Sequence, residues 1–246
     1  MSNTRFIFGF HAITSRLRQN PESIKEILID AARDDQRART LIQLAESRKI
    51  RLLPCDSAKL SAITDSERHQ GVVASIDSAR SHIGLDDVLD TLTGPARLLV
   101  LDGIQDPHNL GACLRVADAF GVHAVIAPKD RAVGLTPTVY KVASGAADTV
   151  PYIAVTNLAR TLNQLKERNI WIFGTAEDAE YDLTHFPIQG AVAWVLGSEE
   201  KGLRRLTRES CDQLVRIPMQ GSIESLNVAV SAGICLFETH RQQSLV

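Results

Sequence analysis

From residue 97 onward the sequence keeps to one pattern: a short, almost unbroken apolar run, a polar turn, then a stretch with apolar residues at helical spacing. The apolar runs are Leu98–Leu101, Ala124–Ala127, Tyr152–Val155, Trp171–Gly174, Val192–Leu196 and Leu214–Ile217. The helical stretches are Asn109–Phe120, Pro137–Ala147, Leu158–Arg168, Arg204–Cys211 and Leu226–Arg241. A strand that is apolar throughout has to be covered on both faces, and helices alternating with such strands supply the cover. The pattern therefore predicts an α/β domain around a mostly parallel sheet. Ligands of such sheets bind beyond the carboxyl ends of the strands, so the loops that follow strands are where chemistry is expected.

Residues 1–76 read as a smaller, separate α/β unit, with strands at Ile24–Ile29, Arg51–Pro54 and Gly71–Ile76 and helices at Asp35–Arg48 and Ser57–Ile63. Residues 77–96 lack a strong strand signal and read as a linker, with one amphipathic stretch at Leu85–Leu92. The three parts, 1–76, 77–96 and 97–246, carry net charges of +3, −3 and −2. The excess in the head fits contact with a nucleic acid and fits chance equally well. No apolar run approaches the ~20 residues of a membrane span, and the first residues lack the pattern of a secretory signal. A soluble, cytoplasmic protein is expected. Cys55, Cys113, Cys211 and Cys235 are scattered and form no C-x-x-C pair, so neither a metal site nor disulfides are expected and the thiols read as reduced packing residues.

Three Gly-bearing polar stretches follow strands. DGIQDPHNLGACLR (102–115) runs through a proline turn into a helix opening near Asn109, a residue able to cap free backbone N–H groups. Gly111 there leaves room for close approach of a backbone or a ligand. Arg115 is either a working residue or a solvated cation paired with Asp118 at i,i+3. LGSEEKGL (196–203) ends an apolar strand at Gly197 and places Glu199 in the turn. IPMQGSIESLNVAVSA (217–232) leads into an apolar helix with Ser225 as its natural N-cap and Asn227 in the first turn. Other chemistries lack their fingerprints. No G-x-G-x-x-G follows the first strand of the body, and there is no G-x-x-x-x-G-K-[ST], H-E-x-x-H or G-x-S-x-G.

Taken in order, N-L-G-A-C-L-R (109–115), L-G-S-E-E-K-G-L (196–203) and I-P-M-Q-G-S-I-E-S-L-N-V-A-V (217–230) resemble the three motifs of the SpoU (TrmH) family of RNA 2′-O-ribose methyltransferases. F-G-F-H-A-I (8–13), H-Q-G-V-V-A (69–74) and V-T-N-L-A-R-T (155–161) resemble the subgroup that acts on guanosine riboses of 23S ribosomal RNA. The resemblance implies S-adenosylmethionine as methyl donor and a guanosine 2′-hydroxyl in the peptidyl-transferase P loop as acceptor. It also implies a C-terminal trefoil knot, an L30-like head that binds RNA, and a homodimer needing no metal or membrane. Carried over by position, Asn109, Arg115, Glu199, Ser225 and Asn227 are the catalytic set. Thr175, Ala176, Gly197, Ile217 and Leu226 are the cofactor-binding set. Where many relatives have Gly after the motif-two Glu, this chain has Glu200, which bears on that loop's backbone. In the head, Arg5, Arg16, Arg18, Arg33, Arg37 and Arg39 are candidate RNA contacts. The competing readings are a transfer-RNA 2′-O-methyltransferase and a non-catalytic ribosomal-RNA-binding or assembly factor.

Overall fold

The computed structural model describes residues 4–19, 21–64, 67–77, 84–223 and 225–244. The chain divides into two compact units, Met1–His82 and Ile83–Val246.

The first unit runs β1 (Thr4–Phe8), α1 (Phe10–Gln19), β2 (Ile24–Asp30), α2 (Gln36–Ser47), β3 (Arg51–Cys55), α3 (Ser57–Thr64) and β4 (Val72–Asp77). Its four-stranded sheet has the order β1-β4-β2-β3, with β2 and β3 parallel and the other pairs antiparallel. Alternate residues of β2 and β4, among them Ile27, Ile29, Val72 and Ala74, meet Ile13 and Leu17 of α1 and Leu41 and Ala45 of α2 in one core. The Asp35 carboxylate opens α2 by accepting from the backbone N–H groups of Arg37 and Ala38. Sequence periodicity does not reveal β1 and α1. β1 is an edge strand whose Phe6 and Phe8 are both partly exposed around buried Ile7, so it shows no polar alternation. The apolar stripe of α1 is interrupted by Arg16, which is itself buried and donates from Nε to Ser23 Oγ at 2.7 Å. Burial removes Arg16 from the candidate RNA contacts. Arg33 and Arg39 pair with Asp35 and Asp34, and Arg33 lies 5.0 Å from the Phe10 ring centre. Arg18 and Arg37 form no ion pair among the described residues. The side chain of Arg5 lies outside the described residues.

The second unit continues with α4 (Leu85–Asp90), β5 (Arg97–Asp102), α5 (Pro107–Ala119), β6 (Ala124–Pro128), α6 (Pro137–Ala143), α7 (Ala146–Thr149), β7 (Tyr152–Val155) and α8 (Leu158–Glu167). It ends with β8 (Trp171–Thr175), β9 (Tyr181–Asp182), β10 (Val192–Gly197), α9 (Arg205–Glu209), β11 (Gln213–Arg216) and α10 (Val228–Gln243). The seven strands are all parallel, in the order β7-β6-β5-β10-β8-β11-β9. The alternation of side chains along the strands divides the core. Leu99, Leu101, Val192, Trp194 and Leu196 face α5 and α10, while Leu98, Val100, Ala193 and Val195 face α8. This is the α/β, parallel-sheet architecture the alternation predicts.

Three local readings change. The stretch Pro137–Ala147 is two helices, because Ser144 (φ 52°) and Gly145 (φ 99°) turn left-handed between them. Residues 84–92 do more than connect. Val88 is buried, and it packs with Leu85, Leu89 and Leu92 on the α8 side of the sheet. Residues 78–83 of the expected linker lie outside the described residues. Gly111 admits helix α6 rather than a ligand. A Cβ there would stand 2.7 Å from Val142 Cβ and 3.0 Å from the Val139 carbonyl oxygen.

Candidate active site

At their carboxyl ends β8, β10 and β11 open onto a cleft of about 420 Å³. Thr175 ends β8, Gly197 ends β10, and Ile217 follows β11. All three line the cleft, with Ala176 beside Thr175 and Leu226 just before α10. The five residues assigned to the cofactor by sequence are therefore brought together, although the first and the last are 51 positions apart. Glu199 and Ser225 also line the cleft, whereas Asn109, Arg115 and Asn227 do not.

The loop after β10 is folded tightly on itself. Ser198 and Gly202 form an antiparallel bridge, with Gly202 N–H donating to Ser198 O at 2.8 Å. Gly202 supplies the left-handed residue of the turn (φ 60°). Glu200 is not left-handed, so a side chain at that position strains nothing. The return limb lies directly on Gly197, where a Cβ would meet the Gly202 carbonyl carbon at 2.1 Å and Leu203 N at 2.4 Å.

Glu199 projects from this loop into a hydrogen-bonded triad with two residues from other segments. Its Oε1 accepts from Asn109 Nδ2 at 3.0 Å, Asn227 Nδ2 at 2.9 Å and the backbone N–H of Val228 at 3.3 Å. Asn227 Nδ2 also donates to Asn109 Oδ1 at 2.8 Å. Residues 118 positions apart are thus locked to one carboxylate. Local structure explains why Asn109 is free to join. The N-cap of α5 is Asp106, which accepts from His108 N–H at 2.8 Å with Pro107 at the first helical position. Asn109 therefore stands inside the first turn instead of capping it. The cap of α10 also shifts. Asn227 caps the helix by accepting from Ala229 N–H at 2.9 Å, and Ser225 is an exposed residue two positions earlier, on the cleft wall. Arg115 is exposed and makes no pair with Asp118, whose carboxylate instead accepts from Thr149 Oγ1 at 2.5 Å. The guanidinium is left without a partner among the described residues.

Two ion pairs at the site escaped the sequence reading. Arg208 forms a two-bonded pair with Asp178, both bonds 3.0 Å, and both residues line the cleft. This pairing, with the Arg208 hydrogen bond as the main cause, holds the Asp178 carboxyl below its ordinary range. Asp102, at the end of β5, is fully buried and bound to Arg204. The available signal was an aspartate directly after the apolar run LLVL. Burial, and secondarily the Glu199 charge, push the thiol of nearby Cys113 up to about 12. Cys113 therefore stays a neutral packing group. Among the described residues, no group of three or more His, Cys, Asp or Glu is placed to hold a metal ion, and no helix is long and apolar enough to cross a membrane.

Comparison with known proteins gives a consistent set of relatives. Residues 96–237 match the model of the SpoU rRNA Methylase family, and residues 6–82 match the model described as RNA 2′-O ribose methyltransferase substrate binding. The chain is 64% identical over 244 residues to the 23S rRNA (guanosine-2′-O-)-methyltransferase RlmB of Nitrosomonas europaea, covering 99% of this chain and 94% of that one. It is 56% identical to the protein of the same description from Ralstonia nicotianae, covering 100% and 99%. The crystal structure of the SpoU methyltransferase AviRb from Streptomyces viridochromogenes, in complex with the cofactor AdoMet, superposes with a TM-score of 0.79. The identity there is 25%, and the match covers 98% of this chain and 91% of that one.

Proposed function

Because the chain belongs to the SpoU rRNA methylase family, we propose that it transfers a methyl group from S-adenosylmethionine to the 2′-oxygen of a guanosine in 23S ribosomal RNA, within the peptidyl-transferase P loop. One observation carries the reading. A cleft built from three post-strand loops adjoins a triad in which Asn109 and Asn227, 118 positions apart, both donate to the Glu199 carboxylate. At about 420 Å³ the cleft falls within the range of small-molecule sites, roughly 300–1,000 Å³. Its lining suits this cofactor. Leu196, Ile217 and Leu226 give an apolar wall, Glu177 and Glu200 offer carboxylates to a cationic ligand, and Lys201 is a cation suited to a carboxylate.

S-adenosylmethionine supplies, when bound, a methyl group on a positive sulfur. The chain's own residues account for the rest. A ribose hydroxyl is a weak nucleophile until its proton begins to leave. Arg115 is unsuited to removing that proton, since a guanidinium has a pKa above ~12, so the proton passes to solvent water as the new O–C bond forms. Exposed and without a partner, it is suited to gripping the target phosphate and stabilising negative charge that develops on the ribose oxygen. Glu199 fixes the two asparagine amides, which orient the ribose. Ser225 offers a hydroxyl at the cleft wall. Such positioning supplies up to ~7–11 kcal/mol of barrier lowering.

The head, residues 1–76, binds the RNA substrate as an L30-like domain. Arg18 and Arg37 remain as its candidate contacts among the arginines named. The body, residues 97–246, carries the chemistry. The placement of β10 between β5 and β8 supports a trefoil knot at the C-terminal end. The exposed Val230 and Phe237 of α10 support a homodimer.

The test is methyl transfer from labelled S-adenosylmethionine to 23S ribosomal RNA, with ribose-methylation mapping of the product. Arg115→Ala is expected to abolish turnover while leaving cofactor binding unchanged. Near-normal turnover of that variant defeats the assigned role, and methylation confined to transfer RNA defeats the assigned substrate.

A further inference from the structure

Asp102 is the only buried acidic residue among those described. It ends β5 and lies in register with Gly197 of the adjacent β10. Both of its oxygens are engaged by one residue. Oδ2 accepts from the Arg204 backbone N–H at 2.9 Å, and Oδ1 accepts from Arg204 Nε at 2.5 Å and also pairs with Nη2. An ionised carboxylate is costly to bury alone, so the pair is held together strongly wherever Asp102 stays inside the sheet.

The consequence concerns the six residues between Gly197 and Arg204. One end of that loop is fixed in the sheet beside Asp102, and the other is tied to Asp102 itself. A single buried carboxylate closes the loop. The other contacts of the loop are the Ser198–Gly202 bridge, the Glu199 hydrogen bonds and the packing of Leu203 against a core cluster, while Glu199, Glu200, Lys201 and Gly202 are exposed. Yet this loop lines the cleft and presents Glu199 to Asn109 and Asn227. Asp102 also begins the segment that leads to Asn109, so it sits at the root of both limbs of the triad. Neither Asp102 nor Arg204 lines the cleft.

We propose that Asp102 and Arg204 are positioning residues of the methyl-transfer site, an ion pair between a buried carboxylate and a partly exposed guanidinium that fixes the loop carrying Glu199 and so sets both cofactor affinity and the geometry of the asparagine pair. This rests on the methyltransferase reading above. The experiment separates failure of one from failure of the other. Full-length chains carrying Arg204→Ala, Arg204→Lys, Asp102→Asn or Arg205→Ala are compared with the unaltered chain by calorimetric titration with S-adenosylmethionine, by the cofactor KM and kcat on 23S ribosomal RNA, and by thermal melting. Arg205 is the control, a neighbouring exposed arginine paired only with Glu209. Arg204→Ala raises the cofactor Kd and KM about tenfold or more, the weight of one charge-assisted hydrogen bond transmitted to the loop. Arg204→Lys keeps the backbone bond and a cation but loses the guanidinium fork, so it recovers part of the loss and falls between the Ala variant and the unaltered chain. Arg205→Ala is unchanged. A variant that melts early is titrated below its own transition and read against the Lys substitution. Cofactor affinity of Arg204→Ala within twofold of the unaltered chain, or a Lys variant no better than the Ala variant, overturns the positioning role alone. Absence of cofactor binding by the unaltered chain overturns the methyltransferase reading and this proposal with it.

Discussion

Replacing Gly197 by alanine tests the cofactor loop most directly, because the obstacle is backbone on every side. The added methyl group would stand 2.1 Å from the Gly202 carbonyl carbon, 2.2 Å from its oxygen and 2.4 Å from Leu203 N. Ordinary carbon contacts are about 3.5–4 Å. No side chain can swing away, so the return limb of the loop has to retreat by more than an ångström. Gly197 itself is not left-handed, so steric displacement is the whole effect. Overpacking of this kind costs about 1–3 kcal/mol, which in a domain of this size lowers the melting midpoint by roughly 3–10 °C. Function suffers more than stability. The displaced limb takes with it the Ser198–Gly202 bridge and the base of Glu199, and misplacement by about an ångström costs on the order of 100-fold in rate. The assay is kcat/KM for methyl transfer, alongside cofactor titration and melting of the same preparation. A variant that melts a few degrees early yet binds cofactor and turns over within threefold of the unaltered chain would refute the claim that close backbone contact at Gly197 shapes the site.

Glu199→Ala removes the acceptor shared by Asn109, Asn227 and Val228 N–H. Turnover is expected to fall on the order of 100-fold with little change in melting, since the carboxylate is exposed; unchanged turnover contradicts the triad's role. Stability should depend on pH through His123. Its burial, and then the Arg97 charge, hold its pKa below the ordinary value of 6.5. The unfolded chain therefore binds the proton first, so stability is full above about pH 7 and declines as pH falls through 6.5 and below. A melting curve series from pH 8 to 5 should show this slope, and His123→Gln should flatten it. Burial pushes Cys113 and Cys211 up to about 12 and raises Cys235 further. A thiol reagent at pH 8 should modify Cys113 and Cys235 only after unfolding, and peptide mapping of either in the folded chain would contradict their packing. Gly233→Ala places a methyl group at an ordinary 3.7 Å from Val116 Cγ1 inside α10; it should stabilise by about 0.5–1 kcal/mol, and a lowered melting midpoint would show that the helix has no room there.

Much of the fold was legible because the signals are local. Unbroken apolar runs and helical spacing placed six of the seven parallel strands within a residue or two, and with them the loops that form the cleft. Where a local signal was weak or compromised, the reading failed. Edge strand β1 has no polar alternation, the stripe of α1 hides a buried arginine, and Pro137–Ala147 breaks at a left-handed serine and glycine that periodicity does not register. Capping was misassigned twice for one reason. Ser225 and Asn109 are good capping types, but Asn227 and Asp106 stand where the helices actually open, and the register of a helix start is set by what the rest of the helix packs against.

The sequence by itself determined a parallel α/β body with its chemistry in post-strand loops, and three ordered motifs that mark the family. Those features are written in neighbouring residues, so they can be read without the fold. Tertiary structure decided the insertion of β10 between β5 and β8, the meeting of Asn109, Glu199 and Asn227, the freedom of Arg115, and the burial of Asp102 against Arg204. Each of these joins residues far apart in the chain. Which distant groups meet is fixed by the packing of strands and helices into a common core, and no local pattern of residue types encodes it.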